Sequence, residues 1–129
     1  MTKKDTRFYR ALYDTAHGAG IEAGRNCQPE PMVVQELANP LDNRTVVQEW
    51  TINDGVCGFA EIIIGDARQS FARWLKSSGL ARTSYGGGVY VWVHQFNQSL
   101  ARKEAYARAF ARVLKEAGIR RVYVQSRMD

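Results

Sequence analysis

A chain of 129 residues with a net charge of +5 and 45% hydrophobic residues is long enough for one core and too short for two. No apolar run reaches membrane-spanning length, and Met1-Thr2-Lys3-Lys4-Asp5 has charge but no apolar segment behind it, so neither a membrane span nor a secretory signal is predicted. Cys27 and Cys57, without a CxxC pair, give no disulfide framework and fit two free thiols in a reducing cytoplasm.

Residues 4–17 read as a helix, with Phe8, Leu12 and Ala16 at four-residue spacing, Tyr9 and Tyr13 widening the stripe, and Gly18 ending it. Gly20 through Pro31 is rich in glycine and proline and reads as a loop. Met32-Val33-Val34 fits a short strand, and Asn39-Pro40-Leu41-Asp42-Asn43 is turn chemistry. Asn53-Asp54-Gly55 has the Asp-Gly hairpin signal, which predicts strand 45–52 paired antiparallel with 56–64. Helix 66–78 puts Ala67, Phe71, Trp74, Leu75 and Ser78 on one face and Arg68, Arg73 and Lys76 on the other, with Asp66 placed as its cap and Gly79 as its stop.

Gly86-Gly87-Gly88 precedes strand 88–96. A phosphate loop would run from glycines into a helix, so these glycines predict a bend or a close backbone approach. Helix 100–117 buries Tyr106, Phe110, Val113, Leu114 and Ala117 and turns Glu104, Arg108, Arg112, Lys115 and Glu116 outward, with Glu104 and Arg108 spaced as an i,i+4 pair. Strand 120–127 closes the order.

In strands 88–96 and 120–127 one face is aliphatic (Val89, Val91, Val93; Val122, Val124). The other is aromatic or polar (Tyr90, Trp92, His94, Phe96; Arg121, Tyr123, Gln125, Arg127). A sheet covered on both faces would read as continuous aliphatic. The fold class predicted is therefore α+β. Residues 1–129 form a single domain with a mixed β-sheet, made of hairpin 45–64 plus strands 88–96 and 120–127. Helices 4–17, 66–78 and 100–117 pack mainly on one face.

Several segments taken together carry a resemblance. They are Gly55-Val56-Cys57-Gly58-Phe59-Ala60, Tyr85-Gly86-Gly87, Gln98-Ser99, Lys103-Glu104-Ala105, Ala109-Phe110-Ala111-Arg112-Val113-Leu114, Gly118-Ile119 and Ser126-Arg127-Met128-Asp129. Ala16-His17-x-Ala19-Gly20 and Pro31-Met32-Val33-Val34 fit the same pattern. The chain resembles a recurring group of small tailed-bacteriophage and prophage proteins with no assigned activity. Where that pattern has Trp after Cys-Gly-Phe-Ala, this chain has Glu61, which implies a solvent-facing or edge position there. The resemblance implies phage-encoded origin and action in the cytoplasm of a bacterial host cell, and it brings no activity with it.

Two constellations are candidate sites. The first is the strand-to-helix junction His94, Asn97, Gln98 and Ser99 with Arg102 and Lys103, where free N–H groups and the helix dipole favour an anion. Its plain structural counterpart is that Ser99 caps the helix, Arg102 is solvated and Lys103 snorkels. The second is a sheet face bearing Tyr90, Trp92, Arg121, Tyr123 and Arg127, where rings interleaved with cations can stack nucleic-acid bases. The same rings would also serve under the first helix or in a homo-oligomer interface.

His17, Cys27, Cys57 and His94 match no zinc spacing, and Asp54, Glu61 and Asp66 are each placed by structure, so no metal, cofactor or catalytic set is evident. The functional expectation is a phage-type accessory protein that binds a host protein and interferes with it. The alternative is a nucleotide or nucleic-acid binder using the helix N-terminus and the aromatic–arginine face.

Overall fold

Helix α1 (Lys3–Asn26) starts at a reciprocal cap. The Thr2 hydroxyl accepts from the Asp5 N–H, and the Asp5 carboxylate accepts from the Thr2 N–H. The computed structural model describes residues 2–129. The sequence predicted a helix ending at Gly18 and a loop from Gly20 to Pro31, but α1 runs on to Asn26. Gly20 and Gly24 continue the buried row of Leu12 and Ala16. A Cβ on Gly20 would stand 2.6 Å from the Tyr106 ring, and one on Gly24 would run into the Phe96 ring. These glycines admit aromatic rings to the helix backbone and do not end it.

Strand β1 (Met32–Leu37) pairs antiparallel with β2 (Val46–Ile52), Val34 standing opposite Trp50. This overturns the predicted 45–64 hairpin. The Thr45 hydroxyl accepts from the Asn39 N–H at 2.9 Å and donates to the Asp42 carbonyl at 2.7 Å, closing the turn that joins β1 to β2. Asn53-Asp54-Gly55 does turn, with Gly55 at φ 76° and its N–H on the Ile52 carbonyl. The chain then leaves for a second sheet instead of folding back.

That sheet has the order β4 (Arg82–Thr83), β5 (Val89–Trp92), β3 (Gly58–Ile64) and β6 (Val122–Met128). Ile62-Ile63-Ile64 is apolar on both faces, which suits the central strand. Every neighbouring pair is antiparallel, so the expected mixed sheet is corrected. Strands β5 and β6 do run parallel, but β3 lies between them, giving a split β–α–β unit.

Helix α2 (Ser70–Ser77) is shorter than the predicted 66–78. The Asp66 carboxylate accepts from the N–H and guanidinium of Arg68 instead of capping the helix, and that guanidinium holds Asp66 below the usual carboxylate range. The Gln69 side chain is also tied to the connection before β6, because its amide exchanges two 2.9 Å bonds with the main chain of Arg120.

Strand β5 stops at Trp92 and not at residue 96. Phe96 and Asn97 take φ 67° and 51°, which swings Phe96 back to the helix layer, 6.4 Å from the Tyr106 ring. Helix α3 (Leu100–Glu116) follows close to its predicted span.

The helices pack on one face of the four-stranded sheet. Phe71, Trp74, Leu75, Tyr106, Phe110 and Leu114 cluster with Ala60, Ile62, Ile64, Val89, Val91, Val93 and Val122. Each large apolar side chain fully buried there contributes about 1.5–3 kcal/mol before entropy is counted. The α+β architecture is as predicted, with the opposite face of the sheet left without a helix.

Candidate functional site: an aromatic and cationic sheet face

The strand register arranges the uncovered face in tiers. Glu61 of β3 lies between Trp92 of β5 and Gln125 of β6, and Ile63 lies between Tyr90 and Tyr123. Phe59 stands opposite Arg127. Tiers two residues apart along a strand are about 7 Å apart. The Phe59 and Trp92 rings meet at 5.6 Å, tilted by 35°. A cleft of about 190 Å³ opens here between Phe59, Ala60, Glu61, Trp92, Gln125, Ser126 and Arg127.

Two cations lie against the Phe59 ring. The Arg127 guanidinium lies 5.5 Å from its centroid and the Lys103 ammonium 5.6 Å. Lys103 belongs to the first turn of α3, on the helix side of the sheet. Its ammonium nevertheless reaches the Phe59 ring. The side chain is 5% exposed. Among the described residues its ammonium has no carboxylate and no hydrogen-bond acceptor, only the ring face. No fully enclosed side-chain polar atom lacks a partner among them either, so the ammonium tip keeps its access to solvent.

Glu61 is the acid of this face. Burial pushes its carboxyl above the usual range, and the nearby Arg127 opposes that only in part. The ionised form is therefore penalised in the folded state, with the penalty present above the folded pKa and absent below the unfolded one. Glu61→Gln is expected to raise the Tm at pH 7 and to give no gain near pH 4. A lower Tm than wild type at pH 7, in melts run at both pH values, contradicts this reading.

The predicted helix-start site separates into two parts. Ser99 is buried; its hydroxyl donates to the Asp54 carbonyl at 2.8 Å and accepts from the Arg102 N–H at 3.4 Å. Arg102 donates to Asp54 Oδ1 at 3.1 Å and to the carbonyls of Gly24 at 2.7 Å and Arg25 at 3.2 Å. Both side chains are thus spent on joining α1, the 53–55 turn and α3. Asn97 and Gln98 are exposed on the connecting loop. His94 is exposed beside Arg82, Tyr90 and Trp92 at the β4 edge. Of this group Lys103 reaches the Phe59 ring, and His94 lies at the margin of the same face beside Tyr90 and Trp92.

Of the predicted face, Tyr90, Trp92, Tyr123 and Arg127 are brought together. Arg121 is not, because it takes φ 58° just before β6 and lies against Gly65. It sits six residues from Arg127, roughly 20 Å along the strand. Phe59 was not singled out in the sequence. Its signal was the Gly-Phe-Ala-Glu alternation, which places Phe59 and Glu61 on one face.

His17 Nδ1 meets the Tyr106 hydroxyl at 2.6 Å, inside the helix layer, where burial pushes the Tyr106 phenol far up. Among the described residues no three His, Cys, Asp or Glu side chains gather as a metal site. No helix among the described residues is long and apolar enough to cross a membrane. Compared with protein-family models, curated proteins and solved structures, the chain matches none.

Proposed function

We propose that the protein acts by binding, and that the ligand of the uncovered sheet face is single-stranded nucleic acid. The observation that carries this reading is the Phe59 ring contacted by Lys103 and Arg127, with Trp92, Tyr90 and Tyr123 on the same surface. Rings on an open sheet stack bases at about 1–3 kcal/mol each, and flanking cations hold the phosphates. Glu61, beside Trp92, accepts hydrogen bonds from amino groups on base edges. The Lys103 ammonium, which has no carboxylate partner among the described residues, is available to a phosphate.

Fluorescence anisotropy with labelled 15-residue oligonucleotides tests this. Trp92→Ala is expected to weaken binding roughly 5- to 150-fold. Lys103→Met, which keeps the packed stem, is expected to reduce the salt slope by about 0.7. Unchanged affinity in both variants contradicts the reading.

The resemblance to tailed-phage proteins supports a setting in a bacterial cytoplasm. It also supports a second reading, an accessory factor that interferes with a host protein. A stoichiometric host-protein complex recovered free of nucleic acid favours that one over the first.

A further inference from the structure

The β1–β2 hairpin stands apart from the rest of the molecule. Every residue of the core, and every partly buried apolar residue packed on it, lies before Cys27 or after Cys57. Strands β1 and β2 pair with each other and with no other strand. An isolated two-stranded ribbon is marginal in water. This one nevertheless presents Val34 and Trp50 on one side, with Trp50 44% exposed, and Val33 and Val47 on the other, both more exposed still. Such a surface, with a tryptophan at its centre, has the composition of an interface.

Charge identifies what covers it. Of the chain's 18 lysines and arginines only Arg44 lies between residues 30 and 54, against Glu30, Glu36, Asp42, Glu49 and Asp54. Asp42 pairs with Arg44 and Asp54 with Arg102, which leaves Glu30, Glu36 and Glu49 without cations among the described residues. The arm is therefore acidic and the body strongly basic. The body also supplies the matching apolar area, since its exposed Tyr85 and Tyr123 lie on or beside the uncovered sheet face that carries Arg127.

We infer that the arm of one molecule docks on the open sheet face of a second copy of this chain, the two arms exchanging about a two-fold axis. A closed, self-complementary contact of this kind limits assembly to a dimer. It also places the arm in competition with the ligand of that face. The dimer itself rests only on the arm's charge and exposure, whereas the competition rests on the proposed nucleic-acid reading.

Sedimentation of the full chain at low salt, without nucleic acid, reads the first part. Wild type is expected to be dimeric. Trp50→Ser with Glu36→Lys, and separately Arg127→Glu, are each expected to raise the dimer Kd at least tenfold. Circular dichroism controls for folding, which these exposed side chains do not support. A monomeric wild type overturns the inference in favour of a basic partner other than this chain. A dimer that persists in either variant overturns it as well. Oligonucleotide titration of the Trp50→Ser, Glu36→Lys variant then reads the sheet face alone. Tighter binding than wild type supports the competition, and unchanged binding overturns it while leaving the dimer intact.

Discussion

Arg102→Ala is expected to cost about 2–4 kcal/mol of stability and to lower the Tm by roughly 8–15 °C. Its guanidinium reaches the last carbonyls of α1 at Gly24 and Arg25, and the Asp54 carboxylate, from the first turn of α3. The end of a helix leaves carbonyls without intrahelical donors, and its dipole favours a cation there. One side chain thus satisfies α1, fixes the turn at the base of the hairpin arm and orients α3. The Asp54 contribution is discounted because that carboxylate is 58% exposed. Arg102→Lys is expected to recover only part of the loss, since an ammonium lacks the planar fork that spans two carbonyls and a carboxylate. A Tm within about 2 °C of wild type for Arg102→Ala would mean that α1 and α3 are held by packing alone.

The glycines of α1 give the second large effect, with opposite signs at neighbouring positions. In an ordinary helix Gly→Ala stabilises by about 0.5–1 kcal/mol. Gly18 has open space where a Cβ would go, so Gly18→Ala is expected to follow that rule. Gly24→Ala is expected to destabilise by about 1–3 kcal/mol, because the new methyl group meets the edge of the Phe96 ring. Phe96→Leu combined with Gly24→Ala should cost less than the sum of the two single changes, since they share one contact. Urea denaturation of the four variants measures this. Equal gains at Gly18 and Gly24 would show that Phe96 yields freely, and that its positive φ is not held by the contact with α1.

Helix periodicity was legible where one face is apolar and the other charged, as in α3, because burial there follows a single 3.6-residue pattern. The alternation in β5 and β6 likewise revealed which face the helices cover. The errors share one cause, which is that short turn and glycine signals are decided by partners distant in sequence. Gly20 and Gly24 looked like helix breakers because the rings that fill their space, Tyr106 and Phe96, lie more than seventy residues away. Asp54-Gly55 makes a turn, yet strand pairing is set by the Asn39–Thr45 turn and by the demand of Ile62-Ile63-Ile64 for neighbours on both sides. Arg102 and Lys103 are adjacent in sequence and chemically alike. Successive positions on a helix point about 100° apart, so one clamps α1 while the other reaches the Phe59 ring.

The most direct measurement of the central claim is the affinity of the wild-type chain for a single-stranded oligonucleotide across a salt series. Binding that weakens with salt at a log–log slope of roughly −1.5 to −2, for two or three phosphate contacts, and that falls on Trp92→Ala, is the predicted result. No detectable binding at 50 mM salt, or binding indifferent to both salt and Trp92, would contradict it.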